Sequence, residues 1–195
     1  MVVRKIPDPA RPDASIIAEA VAVLRNGGLI VLPTDTVYGL AALPEHVERL
    51  HVAKKRPAEK QIAWLVAEIE HVPVILPPMA QRLADAFWPG PLTLVIPHED
   101  GSIGLRVPDH PVALALLCAI GGPIAVTSAN VSGESPAHSA INAGRSVGSH
   151  ADLILDAGPT PGDTASTVVR LQDDRIELLR KGTIHMAKIR DIVRG

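Results

Sequence analysis

The sequence predicts a single α/β domain, of the α+β kind, in which helices flank a twisted, mixed β-sheet. Short apolar runs typical of buried strands are interspersed with segments whose apolar residues recur at helical spacing. Glycine and proline residues separate these segments, and no linker or internal repeat divides them. The 195 residues are enough to bury a sizeable core, so we expect one domain over residues 1–195.

Local signals predict the elements in the first third of the chain. Asp13 is suited to cap a helix, whose apolar residues recur at helical spacing from residue 16 to residue 24. Asn26-Gly27-Gly28 ends that helix because glycine tolerates a left-handed turn. The apolar run 29–33 then predicts a buried strand, and a second helix is expected over 45–55, before Pro57.

The rest of the chain continues the mixed pattern. Apolar runs predict strands at 62–67, 91–97, 103–107, 123–127, 153–156, 167–171 and 176–180. Helices are expected at 78–88, where proline begins the helix, and at 112–120, 139–147 and 185–193. Gly121-Gly122 closes the helix at 112–120.

Composition narrows the class of protein. Hydrophobic residues make up 47% of the chain but only four residues are aromatic, so the core must consist mainly of Val, Ile, Leu and Ala. The formal charge of −2 argues against a general nucleic-acid coat, although it allows a local basic patch. The single Cys118 excludes an internal disulfide, and its position in an apolar run predicts a small core residue.

The sequence lacks the motifs of several kinds of site and the signals for membrane insertion or export. No apolar run approaches the ~18 residues that span a membrane, and residues 1–11 lack the apolar centre of a signal peptide, so we expect a cytoplasmic protein. The chain has no Walker A, Rossmann, HExxH, CxxC or nucleophile-elbow motif. Because the eight histidines lack ligand spacing, we expect no protein-bound metal site.

Two polar clusters break apolar strands, and each has two interpretations. Residues 34–36, Thr-Asp-Thr, follow a buried strand and either satisfy their own turn or form a wall of a ligand site. Arg106 interrupts another apolar strand and needs a partner there. That partner is either a structural carboxylate or the carboxylate of a substrate.

Further polar clusters lie at the ends of other elements. Lys54 and Arg56 stand at a helix end, where they either complement the helix dipole or bind one polyphosphate. Ser128 and Asn130 follow a strand on one tight turn, which alone is an ordinary turn composition. The last two segments contain Ser166 and Arg180. Taken alone, the first is typical of the start of a strand and the second of the end of a strand.

Six segments form a specific series. In chain order they are P-T-D-T-V-Y-G-L at 33–40, Lys-x-Arg-Pro at 54–57, L-R-x-P-x-H-P at 105–111, Ser-x-Asn with Ser-Gly at 128–133, S-T-V-V at 166–169 and L-R-x-G at 179–182. Together they resemble the YrdC/TsaC family of L-threonylcarbamoyladenylate synthases, in its short, single-domain form. The resemblance spans about residues 13–193 and implies a single YrdC-like domain with a concave ligand-binding groove.

Two positions depart from the family pattern. Lys60-Gln61-Ile62 stands where relatives usually carry a proline two residues before the next strand, and Arg170 stands where many relatives have aspartate. We expect the first departure to affect the loop near the phosphates and the second to alter local charge.

The resemblance implies an enzyme that joins L-threonine, bicarbonate and ATP into threonylcarbamoyl-AMP and releases pyrophosphate. The product feeds the t6A modification of tRNA through downstream transfer proteins. Threonine contacts are implied for Arg106, Thr34 and Ser166, with the choice between Thr34 and Thr36 left open. Catalytic contacts to ATP are implied for Lys54, Arg56, Ser128 and Asn130, with Arg180 closing over the nucleotide. Mg²⁺ is expected to be carried mainly by the phosphates.

Two alternatives remain from the sequence. The first is a paralogue of the same fold with weak or different activity, which the sequence distinguishes poorly from a synthase. A module that binds tRNA or other structured RNA is favoured by the basic residues between Lys54 and Lys60. The overall charge and the scarcity of aromatic stacking residues oppose RNA binding.

Overall fold

The computed structural model describes residues 1–71, 74–99, 101–162, 164–172 and 175–194, which form one ten-stranded sheet and six α-helices. The strands are β1 (Val2–Lys5), β2 (Ile30–Leu32), β3 (Gly39–Ala42), β4 (Ala63–Leu65), β5 (Leu92–His98), β6 (Gly101–Arg106), β7 (Ile124–Ser128), β8 (Leu153–Asp156), β9 (Thr167–Gln172) and β10 (Arg175–Arg180). The helices are α1 (Ala14–Arg25), α2 (Val47–Lys54), α3 (Pro78–Phe87), α4 (Pro111–Ile120), α5 (Ala140–Val147) and α6 (Met186–Arg194). None of these helices has the length and apolar character needed to cross a membrane.

The sheet is mixed, as the sequence predicts. Its strand order is β1-β8-β2-β3-β7-β4-β6-β5-β9-β10. Strand pairs β1/β8, β2/β8, β4/β6 and β5/β9 are parallel, and the other five neighbouring pairs are antiparallel. This order places segments that are far apart in sequence side by side. Gly39 pairs with Ser128, and Leu65 pairs with Arg106.

Helices cover both faces of one half of the sheet and one face of the other half. Ile30 and Leu32 of β2 pack under α1 and α4, whereas the alternate residue Val31 faces α2 and α5. In the other half, α3 and α6 pack on one face of β5, β6 and β9. The opposite face of these three strands contributes residues to a cavity.

The predicted elements are present, with boundaries shifted by at most two residues, and the structure adds two strands. Asp13 caps α1 as predicted, accepting from the N–H of Ser15 at 2.7 Å. The helix expected over 45–55 begins as a 3-10 turn and becomes α-helical at Val47. The added strands are β1, whose sequence is half charged, and β3, whose Gly-Leu-Ala-Ala sequence has weak strand propensity. Pairing with neighbouring strands stabilises both.

The prediction that Cys118 is a core residue is wrong, because its side chain is exposed. The buried residues of α4 are Val112, Ala113, Leu116 and Leu117, which form one stripe at helical spacing. Position 118 falls outside that stripe. Because every residue from 112 to 120 is apolar, the sequence did not show which of them face outward.

Candidate functional site

A cavity of about 660 Å³ is lined by residues of β3, β4, β5, β6, β7, β9 and β10 together with neighbouring loops. Alternation along β5 explains part of its wall. Leu92, Leu94 and Ile96 pack in the core with α3 and α6, whereas Thr93 and Val95 line the cavity. Thr93 was not among the predicted site residues, although a lone threonine within an apolar strand was the available signal.

Six of the predicted site residues line this cavity, and two do not. Those that line it are Thr34, Arg56, Arg106, Ser128, Ser166 and Arg180. Lys54 and Asn130 are buried behind the cavity wall. The fold therefore gathers side chains from all six segments of the series around one cavity.

Thr34 and Thr36 both line the cavity but have different hydrogen-bond partners. The Thr34 hydroxyl donates to the main-chain oxygen of Val37 at 2.7 Å and accepts from the N–H groups of Thr36 and Val37, each at 3.2 Å. Because its one hydrogen is used, the Thr36 hydroxyl is the donor in their 3.0 Å contact. Thr34 therefore closes its own turn, and Thr36 lies between that turn and Arg106.

Arg106 ends β6 with its guanidinium buried. Its Nη2 donates to Asp35 Oδ1 at 2.6 Å, its Nε to the Gly90 oxygen at 2.9 Å and its Nη1 to Thr36 Oγ1 at 3.1 Å. Burial lowers the pKa of Arg106, and the Asp35 carboxylate opposes that shift. The structural carboxylate that was one of the two expected partners of Arg106 is therefore that of Asp35. Three of five N–H groups have these partners, and the residue still lines the cavity.

Ser166 fixes Arg180 at the other side of the cavity. Arg180 Nε donates to the main-chain oxygen of Ser166 at 3.0 Å, and Nη2 donates to Ser166 Oγ at 2.9 Å. The Thr93 hydroxyl lies 2.8 Å from Ser166 Oγ. Burial lowers the pKa of Arg180, as do the nearby charges of Arg106 and Arg56. The guanidinium groups of Arg56, Arg106 and Arg180 therefore belong to the same cavity.

Arg56 is held by the loop that follows α2. Its Nε donates to the oxygen of Lys60 at 2.9 Å, and its Nη2 donates to the oxygen of Gln61 at 2.8 Å. Lys55, the residue directly after α2, has a left-handed backbone with φ of 50°, so the chain turns sharply there. Burial lowers the pKa of Arg56. This turn directs Arg56 to the cavity while its near neighbour Lys54 points into the protein.

Lys54, predicted to contact ATP, is buried and does not line the cavity. The side chain is 1% exposed, and its ammonium group donates to the main-chain oxygens of Ser128 and Asn130. The side-chain oxygens of the same two residues lie 3.4 and 3.3 Å from Nζ. Burial lowers the pKa of Lys54 to about 8. Lys54 therefore holds the turn that follows β7.

Asn130 is also part of this support. Its Nδ2 donates to the oxygens of Val131 at 2.9 Å and Glu134 at 2.8 Å, which uses both amide hydrogens inside the protein. Ser128, two residues earlier, lines the cavity. The predicted Ser-x-Asn pair thus has one member at the cavity and one that fixes the turn.

Tyr38, the only tyrosine, connects the segment 33–40 to a loop that is distant in sequence. Its hydroxyl donates to the Gly158 oxygen at 2.6 Å and accepts from the N–H of Ala157 at 3.3 Å. Burial raises the pKa of Tyr38 to about 12. The residue therefore serves as a neutral hydrogen-bonding group that positions the turn after β2.

The sequence of this chain is similar to those of known proteins from one family. The Sua5/YciO/YrdC family model, described as "Telomere recombination", matches residues 22–182. A "Putative threonylcarbamoyl-AMP synthase" of Mycobacterium leprae is 40% identical, over 95% of this chain and 92% of that protein. The threonylcarbamoyl-AMP synthase of Bacillus subtilis is 34% identical over 91% of this chain, which spans 56% of that longer protein.

Solved structures agree with the sequence relatives. The crystal structure of Pyrococcus abyssi Sua5 complexed with L-threonine superposes with a TM-score of 0.91 at 32% identity, over 98% of this chain and 61% of that chain. The structure of Escherichia coli YciO superposes with a TM-score of 0.84 at 27% identity, over 95% of this chain and 98% of that chain. The α/β fold and the family indicated by the six motifs are both confirmed. The chain belongs to the Sua5/YciO/YrdC family.

Proposed function

We propose that this protein synthesises threonylcarbamoyl-AMP from L-threonine, bicarbonate and ATP, and releases pyrophosphate. The product would supply the t6A modification of tRNA through downstream transfer proteins. The observation that carries the proposal is the convergence of Arg56, Arg106 and Arg180 on one cavity of about 660 Å³. Such a cavity suits an amino-acid carboxylate and a polyphosphate bound together. The relatives named as threonylcarbamoyl-AMP synthases support the same reaction.

We assign threonine to the part of the cavity beside Arg106. The guanidinium keeps unused N–H groups and is held in place by Asp35, so it is preorganised for a second carboxylate. The Thr36 hydroxyl accepts from Arg106, and Thr93 and Ser166 add hydroxyl groups to the same cavity. Thr34 belongs to this wall as well, although its own hydrogen is donated within its turn.

We assign the phosphates of ATP to Arg56, Ser128 and Arg180. Lys54 and Asn130 act through Ser128 by holding the turn that carries it. Among the described residues, no cluster of His, Cys, Asp and Glu side chains has the arrangement of a metal site. The cationic lining fits Mg²⁺ that arrives bound to the phosphates of ATP, where it would neutralise their charge.

The reaction needs positioning and charge neutralisation more than a covalent nucleophile. The threonine amine first combines with CO₂ and loses a proton, or with bicarbonate and releases water, to form a carbamate. A carbamate oxygen then attacks the α-phosphorus of ATP, and the bond to the β-phosphate oxygen breaks, releasing pyrophosphate. Arg56 and Arg180 would stabilise the charge that develops on the phosphates during this displacement.

The direct test is to incubate the purified protein with ATP, Mg²⁺, bicarbonate and threonine and to detect threonylcarbamoyl-AMP by mass spectrometry. Omitting threonine or bicarbonate should abolish the product. Arg56→Ala should lower its formation by ~10²–10³-fold, whereas Arg82→Ala, at an exposed position on α3, should not. Wild-type turnover in Arg56→Ala would contradict the phosphate role, and absence of product from the wild-type protein would contradict the function.

A further inference from the structure

Gln61 connects two parts of the cavity rim. Its side-chain Nε2 donates to the main-chain oxygen of Ser102 at 3.0 Å, and Ser102 Oγ donates back to Gln61 Oε1 at 2.9 Å. Its main-chain oxygen accepts from Arg56 Nη2 at 2.8 Å. Gln61 and Ser102 both line the cavity. One residue therefore links the guanidinium of Arg56 to the beginning of β6.

The direction of Arg56 depends on the loop that it contacts. Both of its hydrogen-bond acceptors are main-chain oxygens, those of Lys60 and Gln61, so the guanidinium follows any movement of this part of the loop. The bond from the N–H of Lys60 to the oxygen of Pro57 lies within the loop and does not attach it to the sheet. The Gln61–Ser102 pair makes that attachment two residues before β4 begins.

We propose that Gln61 and Ser102 are positioning residues for Arg56, which they hold ready for the phosphates of ATP. This inference rests on the phosphate role of Arg56 in the proposed function. A preorganised charge stabilises a transition state without reorganising when the reaction occurs. Losing the pair would leave Arg56 present but its loop free to move. The effect should therefore fall on ATP and not on threonine, whose proposed site is beside Arg106.

The test compares Gln61→Ala, Ser102→Ala and the double variant by steady-state kinetics with each substrate varied separately. Gln61→Ala removes both bonds of the pair, whereas Ser102→Ala removes only the bond from Ser102 Oγ and keeps the main-chain acceptor. We therefore expect the KM for ATP to rise about threefold to tenfold in Gln61→Ala and by less in Ser102→Ala. The KM for threonine should stay within about twofold of wild type. Because Gln61→Ala already removes both bonds, the double variant should resemble Gln61→Ala. Ser102→Thr keeps the hydroxyl and should retain the wild-type KM for ATP.

Gln81→Ala is the matched control, because Gln81 is another exposed glutamine with a side-chain bond, to Asp85 within α3. It should leave both KM values unchanged. An unchanged KM for ATP in Gln61→Ala and Ser102→Ala, or effects that add in the double variant, would overturn the inference. Arg56→Ala is measured in parallel. If it loses activity while the Gln61 variant does not, only this inference fails; if Arg56→Ala is also unaffected, the phosphate role fails with it.

Discussion

Replacing Asp35 with asparagine removes the charge that holds Arg106 in place. Asp35 Oδ1 accepts from Arg106 Nη2 at 2.6 Å and from the N–H of Asp109 at 3.1 Å. The side chains of Arg106 and Asp35 are only 7% and 10% exposed. Breaking a buried pair by removing one partner costs ~3–5 kcal/mol, because the remaining charge stays buried without compensation. We expect Asp35→Asn to lower the free energy of unfolding by about 3 kcal/mol, since asparagine keeps one acceptor oxygen.

The assay is urea denaturation, with the exposed Arg4–Glu19 pair as the control. Arg4 and Glu19 are joined at 2.7 Å, but their side chains are 44% and 36% exposed. Glu19→Gln should therefore lower the free energy of unfolding much less than Asp35→Asn does. Threonine binding, followed by calorimetry, should weaken in Asp35→Asn and stay unchanged in Glu19→Gln. A loss of stability in Asp35→Asn no larger than that in Glu19→Gln would refute the reasoning.

Three further substitutions test other parts of the site. Arg180→Ala removes a cation that Ser166 holds at the cavity, and we expect threonine-dependent pyrophosphate release to fall by ~10²-fold. Tyr38→Phe leaves the Gly158 oxygen without its side-chain donor, so the free energy of unfolding at pH 7 should fall by about 1–2 kcal/mol in urea denaturation. Lys54→Met tests a pH dependence: burial lowers the lysine pKa from 10.5 to about 8, so between these values the unfolded chain binds more protons than the folded one. The free energy of unfolding of the wild type minus that of Lys54→Met should therefore rise from pH 7 to pH 9.5, and a flat difference would contradict the assignment.

The position of Lys54 shows what the sequence could and could not predict. The Lys-x-Arg spacing correctly indicated a cationic residue at the cavity, which is Arg56. Lys54, however, lies four residues after the buried Leu50, on the inward side of α2. Helical spacing alone carried this signal, but a charged residue seldom occupies such a position. The left-handed turn at Lys55 separates the two side chains, and no sequence signal marked that backbone conformation at a lysine.

The segment after β2 was predicted as a site, but its internal roles required coordinates. Sequence left open whether Thr34 or Thr36 faces a ligand, because both are threonines on the same short turn. Only the hydrogen-bond directions distinguish them, since Thr34 donates to Val37 and Thr36 accepts from Arg106. Strand β3 was missed because Gly39–Ala42 has weak intrinsic propensity and is stabilised by long-range pairing.

The charges of the cavity differ in how far the protein compensates them. Two of the arginines that line the cavity form ion pairs, Arg106 with Asp35 and Arg170 with Glu177. Arg56 and Arg180 are instead held by neutral oxygens of the main chain and of Ser166. A neutral oxygen orients a guanidinium but leaves its charge uncancelled. Two such charges therefore remain available in a protein whose formal charge is −2. This local excess favours a polyanion at Arg56 and Arg180, while the paired Arg106 suits a single carboxylate, which is the division between ATP and threonine that the proposed reaction requires.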